Sequence, residues 1–123
     1  MTEFLRCEVF AADLDATADF YTRVLGFRIM RDGRDQEWGY LALERGSVRV
    51  GAARRAATSA VEHRRPPVGV ELVLEVDDLP AERRRIADAG WNVVDEIATQ
   101  PWGLTDFRLL DPDGYYWRLT TRE

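Results

Sequence analysis

The chain has one cysteine, one histidine and no lysine, and it nowhere strings together the roughly 20 apolar residues that a membrane-crossing helix requires. Each scarcity removes a class of answers. Cys7 alone cannot staple the fold through a disulfide, and its apolar strand context, with Leu5 and Val9, suits a small buried side chain better than a reactive thiol. Stability must then come from packing, and 123 residues suffice to bury about two-thirds of the unfolded surface as a single domain, 1–123. His63 has no cysteine or carboxylate at ligand spacing, so a solvated loop histidine is expected and not a metal motif. With no signal or transit pattern either, a cytoplasmic setting is expected.

Positive charge comes only from arginine. The 17 basic residues face 22 acidic ones, and the net charge of -5 with a pI near 5.0 argues against nucleic acid, which asks for a basic face. Arginine is nonetheless the residue that makes planar, two-pronged contacts to carboxylate or phosphate and stacks on aromatic rings.

What is present is organised around the last hairpin. Asp111-Pro112-Asp113-Gly114 is a turn signal: Pro fixes φ, Asp bonds its own turn, and Gly tolerates a left-handed exit. A four-residue turn would set Leu110 beside Tyr115 and Arg108 beside Trp117. Tyr115, Trp117 and Leu119 would then share a face under a helix, with Phe107, Tyr116 and Arg118 on the other. This hairpin closes the second of two similar halves. Asp13-Leu14, a helical stretch and Gly26-Phe27 are echoed by Asp78-Leu79, a helical stretch and Gly90-Trp91, with spacings that differ by one residue.

Each half reads strand, helix, then three strands. Leu5, Cys7 and Val9 alternate with Arg6, Glu8 and Phe10; Asp13 caps a helix from about Leu14 to Leu25, closed by Gly26. Strands follow at Phe27 to Asp32, Trp38 to Glu44 and Ser47 to Ala53. A connector over 54–68, with a short helical turn at Ala56 to Val61, separates module 1, about 3–53, from module 2, about 69–121. In module 2 the alternation puts Glu71, Val73 and Glu75 on one face, and Pro80 opens a helix that ends before Gly90. A strand is expected over Trp91 to Glu96, and the Arg83-Arg84-Arg85 run is expected to be a solvated face.

Asp13-Leu14, Phe20-Tyr21, Leu25-Gly26-Phe27 and Asp111-Pro112-Asp113-Gly114, in this order, resemble the vicinal oxygen chelate superfamily of glyoxalase I, bleomycin resistance proteins and extradiol dioxygenases. Glu96-Ile97 and Gln100-Pro101-Trp102-Gly103 look most like the bleomycin resistance type. The resemblance implies an α+β fold in which two βαβββ modules form a curled mixed sheet around a cavity, often completed by a second subunit, so a homodimer is expected. Members that work on a metal hold it through His, Gln or Glu. Those positions fall on Arg6, Arg49, Glu71 and Arg118 here, with Gly51 as an alternative to Arg49. Arginine has no lone pair to donate, so no metal and no other cofactor is expected.

The inward faces then offer Arg6, Glu8, Arg49, Glu71 and Arg118 as polar candidates for ligand binding. Trp38, Trp102, Phe107 and Tyr116 are the aromatic ones. Two interpretations stand side by side: an interior in which Arg and Glu satisfy one another, and a cavity that stacks a flat ligand on the aromatics. Trp91 and Trp117 belong to the core. The resemblance implies a metal-free small-molecule binding protein that sequesters an antibiotic or an anionic metabolite, with no nucleic acid or membrane partner. Bleomycin is cationic, which suits the net charge but not the inward arginines. The alternative is a lyase, isomerase or dioxygenase of the same superfamily, for which Glu71 would be the base and Arg6 or Arg118 the anion clamp.

Overall fold

The computed structural model describes residues 3–55 and 69–122. The chain divides into two compact units, Met1–Ala60 and Val61–Glu123, each holding one four-stranded mixed sheet. The helical turn expected at Ala56 to Val61, and His63, lie outside the described residues. Among the described residues no helix is long and apolar enough to cross a membrane.

In the first unit, β1 (Arg6–Ala11), β2 (Arg28–Gly33), β3 (Tyr40–Arg45) and β4 (Val48–Arg54) form a sheet in the order β1-β4-β3-β2. Asp13 opens α1 (Leu14–Asp19), its Oδ1 accepting from the backbone N–H of Asp15 at 2.9 Å and Ala16 at 3.2 Å. The helix expected to run evenly to Leu25 instead widens into a π-helical turn over Phe20–Val24, where Leu25 N–H donates to Phe20 C=O. That wider turn lets Phe20, Tyr21, Val24 and Leu25 all bury completely. Tyr21 meets Phe20 and Phe27 edge to face, with centroids 5.0 and 5.8 Å away. Val9, Leu41, Leu43 and Val50 complete this core, and the opposite face of the sheet is left for other work.

The second unit repeats the plan. β5 (Leu72–Val76), α2 (Leu79–Asp88), β6 (Asp95–Thr99), β7 (Thr105–Leu110) and β8 (Tyr116–Thr121) give a sheet ordered β5-β8-β7-β6. Asp78 caps α2 through Ala81 N–H at 3.0 Å, and Gly90, like Gly26, takes the left-handed conformation that ends its helix. Ile86, Leu74, Leu109, Trp117 and Leu119 fill the core, which places Trp117 where the sequence puts it.

Three expectations need correction here. The strand expected over Trp91 to Glu96 lies further along, at Asp95–Thr99. Trp91 is held at the helix end by its own N–H to Ile86 C=O and its indole N–H to Leu110 C=O, 2.8 Å. The run Arg83-Arg84-Arg85 is not simply solvated: Arg83 forks onto Glu96 at 2.6 and 2.9 Å, and Arg85 holds the buried Glu82 at 2.7 Å.

The last hairpin is one residue out of the expected register. Asp111 N–H donates to Tyr115 C=O, Gly114 (φ +83°) follows the turn as a bulge, and the pairs become Phe107 with Leu119, Arg108 with Arg118 and Leu110 with Tyr116. Every side chain of β7 therefore changes face relative to the expectation. Phe107, expected on the site face, is 0% exposed in the core, and Asp106 and Arg108 stand in its place.

Candidate functional site

The free face of the first sheet is laid out in rows by its register. Arg6, Arg49, Glu44 and Arg28 form one row; Glu8, Gly51, Ala42 and Arg31 the next; Phe10, Ala53, Tyr40 and Gly33 the third. Arg31 reaches this face through a β-bulge at Met30. Without it, strict alternation from Ile29 would turn Arg31 toward the core.

Glu8 lies at the centre. It accepts from Arg6 Nε at 3.0 Å and from the Tyr40 hydroxyl, also at 3.0 Å, and the tyrosine reaches it by crossing β4 at Gly51. Only glycine permits this: a Cβ at Gly51 would collide with Tyr40 Oη and Glu8 Oε2 and lie 2.8 Å from Tyr40 Cζ. Burial, then the bond to the Glu8 carboxylate, pushes the Tyr40 hydroxyl above the ordinary tyrosine range. Above this network stands Trp38, 68% exposed. Its loop is tied down by Arg54, which donates to the carbonyls of Arg34 at 3.1 Å and Gln36 at 2.9 Å. The result is an open pocket of about 600 Å³ walled by Arg6, Glu8, Arg31, Gln36, Trp38 and Tyr40. A neighbouring hollow of about 420 Å³ continues past Ala42 to Arg49. Arg49 itself stacks its guanidinium over Phe4, 4.8 Å from the ring centre.

The second sheet presents a closed arrangement. Arg108 and Arg118 stand directly opposite each other, a repulsive pairing that Glu71 and Asp106 neutralise by alternating with them. Asp106, 0% exposed, lies 3.3 Å from Arg108 and 3.6 Å from Arg118, and also accepts from the Gln100 amide at 2.8 Å. Glu71 lies 3.0 Å from Arg118 Nε but off its N–H axis, so the contact is ionic and not a directed hydrogen bond. Burial pushes the half-buried Tyr116 hydroxyl up beside this cluster. Trp102 stands apart on the loop after β6, 59% exposed.

Within the first unit, the structure brings together Arg6, Glu8 and Trp38 around one pocket, with Arg49 paired to Arg6 in its row. Within the second it brings together Glu71, Tyr116 and Arg118, with Trp102 on its own loop. Sequence reading missed Arg31, Tyr40, Asp106 and Arg108, and it named Gly51 only as an alternative to Arg49. Alternation puts Tyr40 in phase with Ala42 and Glu44, so that position was legible; Arg31 was hidden by its bulge, Asp106 and Arg108 by the hairpin register.

The four positions that the resemblance associates with metal do not fit one. Arg6 and Arg49 face each other across β1 and β4, Arg118 is a third guanidinium, and the single carboxylate, Glu71, is already ion-paired. Among the described residues no group of three or more His, Cys, Asp or Glu side chains could hold a metal ion.

Two βαβββ units, each with a helix on one face of its sheet and polar side chains on the other, define an α+β fold of the glyoxalase and bleomycin resistance class. Residues 3–119 match the Glyoxalase/Bleomycin resistance protein/Dioxygenase superfamily, and the chain belongs to it. No curated protein sequence matches it closely. Among solved structures it is similar to a bleomycin resistance determinant encoded on the transposon Tn5, with 28% identity and a TM-score of 0.77 over 99% of both chains. A bleomycin-binding protein complexed with bleomycin gives 28% identity and a TM-score of 0.74 over 99% of this chain and 100% of that one. TioX from Micromonospora sp. ML1, at 23% identity, shares the fold with a TM-score of 0.79 over 99% of this chain and 100% of that one.

Proposed function

We propose that this chain is a metal-free small-molecule binding protein of the bleomycin resistance type, acting by sequestration in the cytoplasm as a homodimer. The observation that carries the proposal is the open first-unit pocket, where Arg6, Glu8 and Tyr40 hold one another in place beneath an exposed Trp38. Such a wall combines a large aromatic surface with fixed hydrogen-bonding groups, the composition of a ligand site. Glu8, Arg6 and Arg49, with Trp38, are its proposed ligand contacts; Glu71, Tyr116, Arg118 and Trp102 form a second, more self-satisfied set. Both similar structures at 28% identity concern bleomycin, which supports an antibiotic or a molecule of that kind as ligand.

A lyase or dioxygenase finds no comparable support. Glu71, the base such an enzyme would use, is engaged by Arg118 and, at 3.9 Å, by Arg108. Sequestration needs affinity only. A thermal-shift screen of bleomycin, other antibiotics and small aromatic acids, with and without a chelator, tests this, because a ligand that prefers the native state raises its midpoint. A midpoint rise that chelation leaves intact and Trp38→Ala removes is expected. A flat screen would contradict binding, and a rise abolished by chelator would contradict the metal-free site.

A further inference from the structure

Resting on that small-molecule function, we infer that the first-unit face selects a flat ligand carrying an oxyanion, which Arg31 and Arg49 receive beside a floor of Ala42 and Tyr40. Four guanidinium groups and two carboxylates share the first two rows of this face, an excess of two positive charges on a chain whose net charge is -5. Both carboxylates are engaged: Glu8 by Arg6 and Tyr40, and Glu44 by Arg28 at 2.9 Å. Among the described residues Arg31 and Arg49 have no carboxylate partner, and a ring stacked under Arg49 leaves the edge of its guanidinium free to donate. Between Glu8 and Arg31 this row has no side chain of its own larger than a methyl group; Tyr40 lies across Gly51, so Ala42 and the edge of the Tyr40 ring make the floor. Arg6, Arg31 and Arg49 all line the hollow above Ala42.

The bulge gives this arrangement its direction. It sits in edge strand β2 and redirects one side chain, Arg31, from the core face to the ligand face. A cationic ligand would meet repulsion there, whereas a carboxylate or phosphate gains charge-assisted hydrogen bonds.

The test is calorimetric titration of the full chain with 2-naphthoate, 2-naphthyl phosphate, the neutral 2-naphthamide and the cation 2-naphthylmethylammonium. For probes of this size the acids are expected to bind with Kd of about 1 mM, roughly tenfold tighter than the amide. Arg31→Gln should remove that tenfold advantage and leave the amide unchanged, while Arg28→Gln, whose arginine is held by Glu44, should change neither. Acid and phosphate bound equally well support a shared oxyanion site; a preference for one names the ligand's anionic group. If the amide or the cation binds as tightly as the acids, or if Arg31→Gln leaves the acids unaffected, the oxyanion selectivity is wrong while small-molecule binding stands. If no probe binds and the antibiotic screen is also flat, both fall.

Discussion

Gly51→Ala is a small change with a calculable effect. The added methyl would occupy the space where Tyr40 Oη meets Glu8 Oε2, and it would lie 2.8 Å from Tyr40 Cζ, so the tyrosine must move. Losing a hydrogen bond to a charged acceptor on a half-exposed face costs about 1.5 kcal/mol. Displacing the ring from a packed position adds about 1 kcal/mol. Against these, alanine restricts the unfolded chain and returns roughly 0.5 kcal/mol. The net loss is about 2 kcal/mol, which for a chain of this size lowers Tm by roughly 6 to 10 °C. Urea denaturation and calorimetry on Gly51→Ala, Tyr40→Ala and the double variant measure it. In the Tyr40→Ala background most of the Gly51→Ala cost should vanish, because two of the three nearest atoms belong to Tyr40 and the third is the flexible end of Glu8. A Gly51→Ala protein as stable as the parent, or one whose loss persists without Tyr40, would show that the glycine is not there to let the tyrosine cross.

The hairpin register predicts that Phe107→Ala costs about 3 to 5 kcal/mol by opening a core cavity, measured by urea denaturation, whereas a site-face Phe107 would cost under about 1 kcal/mol. Arg118→Ala, by the same measurement, should cost about 2 kcal/mol, because the buried Asp106 loses one of its two guanidinium neighbours. Glu96 supplies a pH signature: the Arg83 guanidinium, then the Ile97 N–H, hold its carboxyl down to about 2 from the ordinary 4.5. A depressed carboxyl stabilises the fold fully above pH 4.5 and loses that contribution as pH falls toward 2. Urea midpoints of Glu96→Gln should therefore fall below the parent near neutral pH and converge with it near pH 2; a constant gap at all pH values would contradict the pairing.

The parts of the fold governed by local chemistry were legible in the chain. Asp13 and Asp78 announce their helices, Gly26 and Gly90 end them, and the repeat between these punctuation marks is the repeat of the two sheets. Alternation likewise placed Arg6 and Glu8 opposite the buried Val9. What resisted reading was phase. One residue of bulge at Gly114 exchanged Phe107 for Asp106 and Arg108, and one at Met30 brought Arg31 to the pocket. Because side chains alternate with a period of two, such a slip changes every face assignment beyond it without changing the strand. The Gly114 bulge had a signal, a glycine just after a turn that Asp and Pro start. Met30 had none, since no residue there demands a special backbone. The two charged faces also differ in pairing: Glu71, Asp106, Arg108 and Arg118 are all ion-paired with one another, whereas on the first face Arg6 and Glu8 pair and Arg31 and Arg49 have no carboxylate partner among the described residues.

Amide chemical-shift mapping with 2-naphthoate, on the isotope-labelled chain, locates the ligand directly. Perturbations centred on Glu8, Ala42, Gly51 and the Trp38 indole are expected, with the β7 and β8 amides changed less. Shifts confined to the Arg108 and Arg118 hairpin, with the Gly51 and Trp38 signals unmoved at saturation, would contradict a binding site on the first sheet.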